Sequence, residues 1–348
     1  MTFEAYEYLL MEPFKIIKRR VEGVLNTEGC MVVPVLAGIC RSDVLYFKGD
    51  KDLMKLQQRL PLIPLHEGVV KVLDTGGFGS IIPFRKCNAC FACLNGMENL
   101  CQKSYYMGST IPGLSRSPFS YPRELIVDVP DNVPLKVAAL LEPMSIVYRM
   151  LKETVLAEVD MIAVIGNGVL GRLVIIFLSA LRGMSRSRLF LIGRSGSRLA
   201  AFNDICTTVN IVKDRESLKE MEGSFSMVVE AVGGYGMAHS LRQAVALVQP
   251  RGRIHVFGLA DEVKDINFTQ IVNKGLIIQG FSRARFSDYK TMMDIICGNS
   301  RLLELLERVI DPEGFIIRNE EDLMDAFHYV MSRNNNGRVI VAFEEDVV

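Results

Sequence analysis

The hydrophobic pattern of this chain changes character part-way along. Through the first 140 residues, short apolar runs such as Met31–Leu36 and Gly68–Leu73 are separated by Gly, Pro, Asn and Asp. That spacing predicts short strands joined by turns, as in a small barrel or sandwich. From about Asp160 an apolar run at Met161–Ile165 leads into a glycine turn, Gly166 to Gly171, and then into helical periodicity over Val169–Leu181. Further apolar runs at Leu189–Ile192, Met227–Ala231, Ile254–Phe257 and Leu276–Ile278 alternate with polar or helical segments such as Met237–Leu247. Strands that alternate with helices predict a parallel, doubly wound sheet. Beyond Ser282 the pattern predicts helices near Asp288–Cys297, Arg301–Val309 and Glu321–Met331, then a closing strand at Val339–Phe343. There is no internal repeat, low-complexity tract or long linker.

The glycine turn carries the first chemical signal. Gly166-Asn167-Gly168-Val169-Leu170-Gly171 fits G-x-G-x-x-G between a strand and a helix. The first glycine allows the tight turn, the second lets backbone approach a pyrophosphate, and the third lets helix pack on strand. The helix start then offers free N–H groups to the anion. In NAD sites an acid usually ends the second strand and bonds the ribose 2′-OH. Here that end reads Gly193-Arg194-Ser195-Gly196-Ser197-Arg198, with no acid. Arg194 and Arg198 can pair with a 2′-phosphate and Ser195 can donate to it, so the expected cofactor is NADPH.

A second signal is the run Cys87, Cys90, Cys93 and Cys101, which places half of the eight cysteines within fifteen residues. Four thiolates at C-x2-C spacing suit a tetrahedral, structural zinc ion. With 348 residues, 49% hydrophobic, the chain is long enough for two domains. Forty basic and forty acidic residues cancel, so no global field attracts nucleic acid or an anionic membrane. The longest apolar stretches reach about ten residues, against roughly 20 for a membrane span. The start, Met1 to Ala5, lacks a basic, apolar signal pattern, and metal-spaced thiols then predict a reducing, cytoplasmic setting.

Gly38-Ile39-Cys40-Arg41-Ser42-Asp43, His66-Glu67-Gly68 and Glu142-Pro143 supply a thiol, an imidazole and carboxylates. Cys40, His66 and a carboxylate are suitable zinc ligands, and three protein ligands leave one coordination position open. A carbonyl bound there is polarised.

Together, Gly38–Asp43, His66–Gly68, Cys87–Cys101, Leu140–Ser145 and Gly166–Gly171 resemble the zinc-dependent medium-chain dehydrogenase/reductase family over nearly the whole chain. Leu60–Gly68, Glu230-Ala231-Val232-Gly233-Gly234 and Gly280-Phe281-Ser282-Arg283 are most similar to its NADPH-dependent ribulose-5-phosphate reductase branch. The resemblance implies an α/β fold: a GroES-like β-barrel catalytic domain (residues 1–146 and 285–348) plus a Rossmann doubly wound parallel-sheet domain (residues 147–284). It implies that Cys40, His66 and Glu67 ligate a catalytic zinc, with Glu142 an exchanging or neighbouring carboxylate. Which of the two carboxylates is the resting ligand stays open. Ser42 matches the hydroxyl that relays a proton, Asp43 the group that orients His66, and Tyr46 a substrate-pocket tyrosine. Val232, Gly258, Leu259 and Ser282 fall where the family cradles nicotinamide.

The implied reaction is reduction of a ketose phosphate, D-ribulose 5-phosphate to D-ribitol 5-phosphate, by a homodimer or homotetramer. A dianionic substrate on a chain of zero net charge needs local cations, and Arg41, Arg283 and Arg285 are the expected ones. The chain departs from the family at Leu45, where polyol dehydrogenases often carry histidine. It departs again at Leu65, where glycine usually precedes the histidine, and in the short stretch from His66 to Cys87. Two alternatives stay open: a polyol or secondary-alcohol dehydrogenase acting on an unphosphorylated substrate, and a non-catalytic NADPH-binding protein.

Overall fold

The computed structural model describes residues 2–24, 29–50, 56–260, 262–332 and 335–344. They form two compact units. One takes the chain up to Ser145, Ala284–Leu303 and the part from Ile310 on; the other is Ile146–Arg283 with Glu304–Val309. Of the three expected phosphate-binding arginines, Arg283 therefore belongs to the second unit and Arg41 and Arg285 to the first.

The first unit is built on a seven-stranded sheet. Ile126–Asp128, Phe78–Ile81, Glu67–Val72, Cys30–Gly38, Arg338–Phe343 and Ile310–Ile317 follow in that order, and Phe119–Tyr121 also pairs with Cys30–Gly38. The register places Gly38 opposite Glu67 on one side and opposite Ile340 on the other. Cys40, Glu67 and Arg338 are thereby brought to one end of three neighbouring strands. Val69 and Val70 are both fully buried, so this part of the sheet is covered on both faces.

Two features differ from the sequence expectation. The N-terminal region is not a set of short strands but a long hairpin, Thr2–Glu12 with Lys15–Val24. Its consecutive Tyr8, Leu9 and Leu10 are all buried, which removes the period-2 alternation that marks a one-sided strand. Ile310–Ile317, which the pattern leaves unassigned between two helices, is also a strand despite its Pro312 and Gly314. It lies at the end of the sheet, where proline is tolerated, and a register irregularity between Ile310 and Gly314 absorbs the break.

In the second unit the alternation of strands and helices yields a six-stranded, fully parallel sheet. Its order is Thr207–Asn210, Leu189–Gly193, Ile162–Ile165, Phe225–Glu230, Val248–Val256, Ile277–Gly280. Ile165, Ile192, Val228 and Ile254 form its core with Val245 and Leu247 of the helix Met237–Leu247. The order reverses between Ile162–Ile165 and Phe225–Glu230. Ligands of doubly wound sheets bind outside the strand carboxyl ends at that switch point. No described helix is long and apolar enough to cross a membrane.

Candidate functional site

Cys40 follows the strand Cys30–Gly38 and is the N-cap of the helix Arg41–Phe47. Asp43, buried in the first turn of that helix, ties the site together. Its Oδ2 accepts the Cys40 N–H at 2.9 Å, and its Oδ1 accepts the Leu65 N–H at 3.3 Å and lies 3.2 Å from His66 Nδ1. Leu65 holds φ at 73°, a left-handed conformation that glycine adopts far more readily. The backbone geometry before His66 is thus kept although the glycine is not.

A Cys40, His66 and Glu67 ligand atom each lie within 4.8 Å of one another. A thiol, an imidazole and a carboxylate converging this closely fit a three-ligand zinc site. Glu142 does not join that cluster. Its Oε1 accepts the Tyr106 hydroxyl at 2.8 Å, and the Tyr106 ring stands edge-on to the His66 ring. Burial first, then the neighbouring Glu67 carboxylate, push the Glu142 pKa up to about 7. Burial opposes charge on His66, but the Asp43 carboxylate outweighs it and raises the imidazole pKa well above its ordinary value. A divalent cation here would be the largest local charge and would favour the deprotonated form of both groups.

Ser42 sits half-buried beside Cys40 in the first helical turn, and the Tyr46 hydroxyl lies 2.8 Å from Ser109 Oγ. Arg338 was not foreseen. It is buried, donates from Nη1 to the Ile39 carbonyl at 2.7 Å, and brings Nη2 and Nε each within 3.0 Å of a Glu67 oxygen. A Cβ on Gly38 would stand 3.2 Å from both Arg338 Cδ and Glu67 Oε2, so the glycine leaves room for the pair. Neither Arg338 nor Tyr106 has a recognisable local motif. The only signal is an arginine opening a buried strand.

The four-cysteine lobe closes on itself. Sγ separations are 3.5 Å for Cys90–Cys93, 3.8 Å for Cys90–Cys101 and 3.9 Å for Cys87–Cys93. A tetrahedron with Zn–S bonds of roughly 2.3 Å has edges of about 3.8 Å. The sulfurs are therefore spaced for one ion and not for disulfides, whose bond is about 2.05 Å. Backbone N–H groups, that of Ala89 foremost, pull the Cys87 pKa down to about 6, which favours a thiolate ligand. None of the eight cysteines is in a disulfide.

In the second unit, Gly166 holds φ at 114°, and a Cβ there would come within 2.7 Å of the Ala231 carbonyl oxygen. A Cβ on Gly171 would strike the Gly166 carbonyl at 1.8 Å, whereas none would meet anything at Gly168. Open space at the second glycine and close packing at the others match a turn shaped for a pyrophosphate. Val169 and Leu170 begin the helix Val169–Arg182. Arg194 and Ser195 follow the second strand, and Arg198 lies in the short helix Gly196–Ala200. Arg194 lines a cavity of about 510 Å³ with Ile211, Val212, Arg215 and His239; Arg198 does not line it. Arg215 is a second cation that the sequence did not single out. Val232, Leu259 and Ser282 are exposed just beyond strand ends, as is the half-buried Gly258.

Residues 28–131 match the alcohol dehydrogenase GroES-like domain, and residues 190–297 match the zinc-binding dehydrogenase domain. The chain belongs to the zinc-dependent medium-chain dehydrogenase/reductase family. This dehydrogenase/reductase is an oxidoreductase with a GroES-like unit and a Rossmann-type parallel sheet. It is 24% identical over 343 residues to ribulose-5-phosphate reductase 1 of Staphylococcus aureus, covering 95% of this chain and 96% of that one. It is 25% identical over 340 residues to an alcohol dehydrogenase of Geobacillus stearothermophilus, covering 94% and 96%. The crystal structure of S. aureus TarJ in complex with NADPH superposes with a TM-score of 0.81 at 21% identity, over 98% of this chain and 100% of that one. L-Idonate 5-dehydrogenase from Escherichia coli superposes with a TM-score of 0.83 at 18% identity, over 99% of both chains.

Proposed function

We propose that this dehydrogenase/reductase reduces a phosphorylated ketose, D-ribulose 5-phosphate, to D-ribitol 5-phosphate with NADPH. The convergence of Cys40, His66 and Glu67 carries the chemistry. When bound, a zinc ion held by these residues supplies Lewis acidity and NADPH supplies the hydride. The carbonyl carbon gains that hydride and its oxygen gains a proton, leaving an alcohol and NADP⁺. Ser42 Oγ passes the proton to the substrate oxygen. Asp43 fixes the ring of His66 through Nδ1, and Arg338 holds the Glu67 carboxylate. Tyr46 is the expected substrate-pocket tyrosine. The cysteine lobe holds a second, structural zinc. The relatives named ribulose-5-phosphate reductase support this substrate over an unphosphorylated polyol.

The phosphate tests the substrate. Arg283 is the expected anion contact. Arg283→Ala should raise KM for D-ribulose 5-phosphate about tenfold or more and barely affect an unphosphorylated ketose, because only the former loses a charge-assisted contact. Equal losses on both, or a wild type that prefers the unphosphorylated ketose, would favour the polyol dehydrogenase reading.

Cofactor choice rests on the missing acid after Leu189–Gly193 and on Arg194 and Arg198. Each lost charge-assisted contact costs roughly 1.5–3 kcal/mol, on the order of tenfold or more in affinity. The double alanine variant should lose its preference for NADPH while NADH kinetics stay nearly unchanged. If NADH use falls in parallel, these arginines do not read the 2′-phosphate.

The protein is expected to act as a homo-oligomer in the cytoplasm. The free thiols suit a reducing compartment. Ile277–Gly280 is the last strand of its sheet, and Ile277 and Ile278 are 52% and 46% exposed, a surface that a second copy would cover. Light scattering that finds only monomer at micromolar concentration excludes that arrangement.

A further inference from the structure

The Glu230-Ala231-Val232-Gly233-Gly234 motif is left unexplained by the metal centres and the glycine turn. Glu230 ends the strand Phe225–Glu230, directly beside Ile165 across the switch point of the sheet. Its side chain is completely buried, at 0% exposure. A buried carboxylate is costly unless hydrogen bonds satisfy it. Here four donors do so. Oε1 accepts the Val232 N–H at 2.9 Å, the Gly233 N–H at 3.2 Å and the Ser240 hydroxyl at 2.6 Å; Oε2 accepts the Gly258 N–H at 3.2 Å.

The donors come from three separate places: the loop after one strand, the loop after the next strand, and the helix Met237–Leu247. One side chain therefore sets the spacing of two loops. Backbone contacts reinforce the link, since Gly234 N–H donates to the Leu259 carbonyl at 2.8 Å and Phe257 N–H to the Glu230 carbonyl at 2.9 Å. A Cβ on Gly258 would come within 2.3 Å of Glu230 Oε2, so only glycine lets that N–H reach the carboxylate. The first loop also abuts the nucleotide turn, because Ala231 N–H donates to the Ile165 carbonyl at 2.9 Å.

We propose that Glu230 is a positioning residue for the nicotinamide half of the cofactor, acting through the loops that carry Val232, Gly258 and Leu259. The proposal rests on the NADPH reading given above. Its geometric basis is that these loops follow the strands Phe225–Glu230 and Val248–Val256 on one side of the switch point, whereas Arg194 follows Leu189–Gly193 on the other. The two halves of a dinucleotide divide in that way. Glu230 does not touch the cofactor, so it is not a catalytic residue.

Glutamine separates this role from bulk stability. It keeps the size of the side chain but has one acceptor oxygen. If that oxygen keeps Val232, Gly233 and Ser240, the new NH2 group faces the Gly258 N–H, donor against donor, and the second loop must move. Binding is measured by fluorescence titration with NADPH and with 2′,5′-ADP, which has the adenosine 2′-phosphate but no nicotinamide. Glu230→Gln should weaken NADPH about tenfold and leave 2′,5′-ADP unchanged. Equal weakening of both ligands, or of neither, overturns the proposal. A wild type that binds neither ligand overturns the NADPH reading itself, and this proposal with it. Should the glutamine variant not fold, Ser240→Ala decides. It removes one donor and should weaken NADPH about threefold with 2′,5′-ADP unchanged. Unaltered NADPH affinity in that variant overturns the proposal.

Discussion

His66→Ala should abolish turnover while leaving NADPH binding and the fold in place. The imidazole is buried and held by Asp43 at 3.2 Å, so its free ring nitrogen is presented to the Cys40 and Glu67 ligand atoms. Alanine removes one of the three proposed zinc ligands. A catalytic metal is worth several kcal/mol of transition-state stabilisation, so the rate should fall roughly a thousandfold or more. The fold should survive because Asp43 keeps its bonds from the Cys40 and Leu65 N–H groups. The nucleotide turn lies in the other unit and has no part in the change. NADPH oxidation in the presence of D-ribulose 5-phosphate reads the rate, and elemental analysis should show about one zinc fewer per chain. Near wild-type turnover in a variant that has lost this zinc would falsify the mechanism.

The second large effect is expected in the cysteine lobe. Cys93→Ser should also lower zinc content by about one ion per chain, but here the consequence is structural. The lobe has little core of its own. Its helix Phe91–Leu94 buries no residue, and Phe91 and Leu94 are 75% and 73% exposed. A segment that small depends on a metal or another cross-link for its shape. Serine is a poor replacement for a sulfur ligand that lies 3.5 Å from Cys90 Sγ and 3.9 Å from Cys87 Sγ. The segment Cys87–Cys101 should become sensitive to limited proteolysis, with cleavage well before the rest of the chain, and the melting temperature should fall by several degrees. Unchanged metal content, or an unchanged cleavage pattern after metal loss, contradicts a structural zinc.

The segment Met237–Leu247, read as polar or helical, is a helix over those residues, and Val169–Arg182 runs one residue past the predicted end. In the second unit Ile162–Ile165, Leu189–Gly193 and Phe225–Glu230 are largely apolar runs with both faces covered, which makes them stand out, whereas the polar edge strand Thr207–Asn210 gives no such signal. The closing strand begins at Arg338, one residue before the apolar pattern does. In the first unit the reading is weaker. The hairpin Thr2–Glu12 with Lys15–Val24 and the strand Ile310–Ile317 lack clean alternation, and tertiary pairing overrides the local signals.

Features whose chemistry is local are legible in the residues alone. Four sulfurs within fifteen residues can meet only around one small volume, and G-x-G-x-x-G between strand and helix is a backbone geometry as much as a motif. The absence of an acid after the second nucleotide strand is likewise visible in the residues alone. Only the tertiary structure decided which distant groups complete each site. Arg338 meets Glu67 across 271 residues of chain because the register of three strands sets them at one end of a sheet. Tyr106 reaches Glu142, rather than the two lying unrelated, through packing that no spacing encodes. Glu230 finds its four donors because parallel neighbours place the loops after two strands side by side. Periodicity and spacing act over a turn or a few residues, whereas strand register and the burial of charge are settled only when the whole sheet assembles.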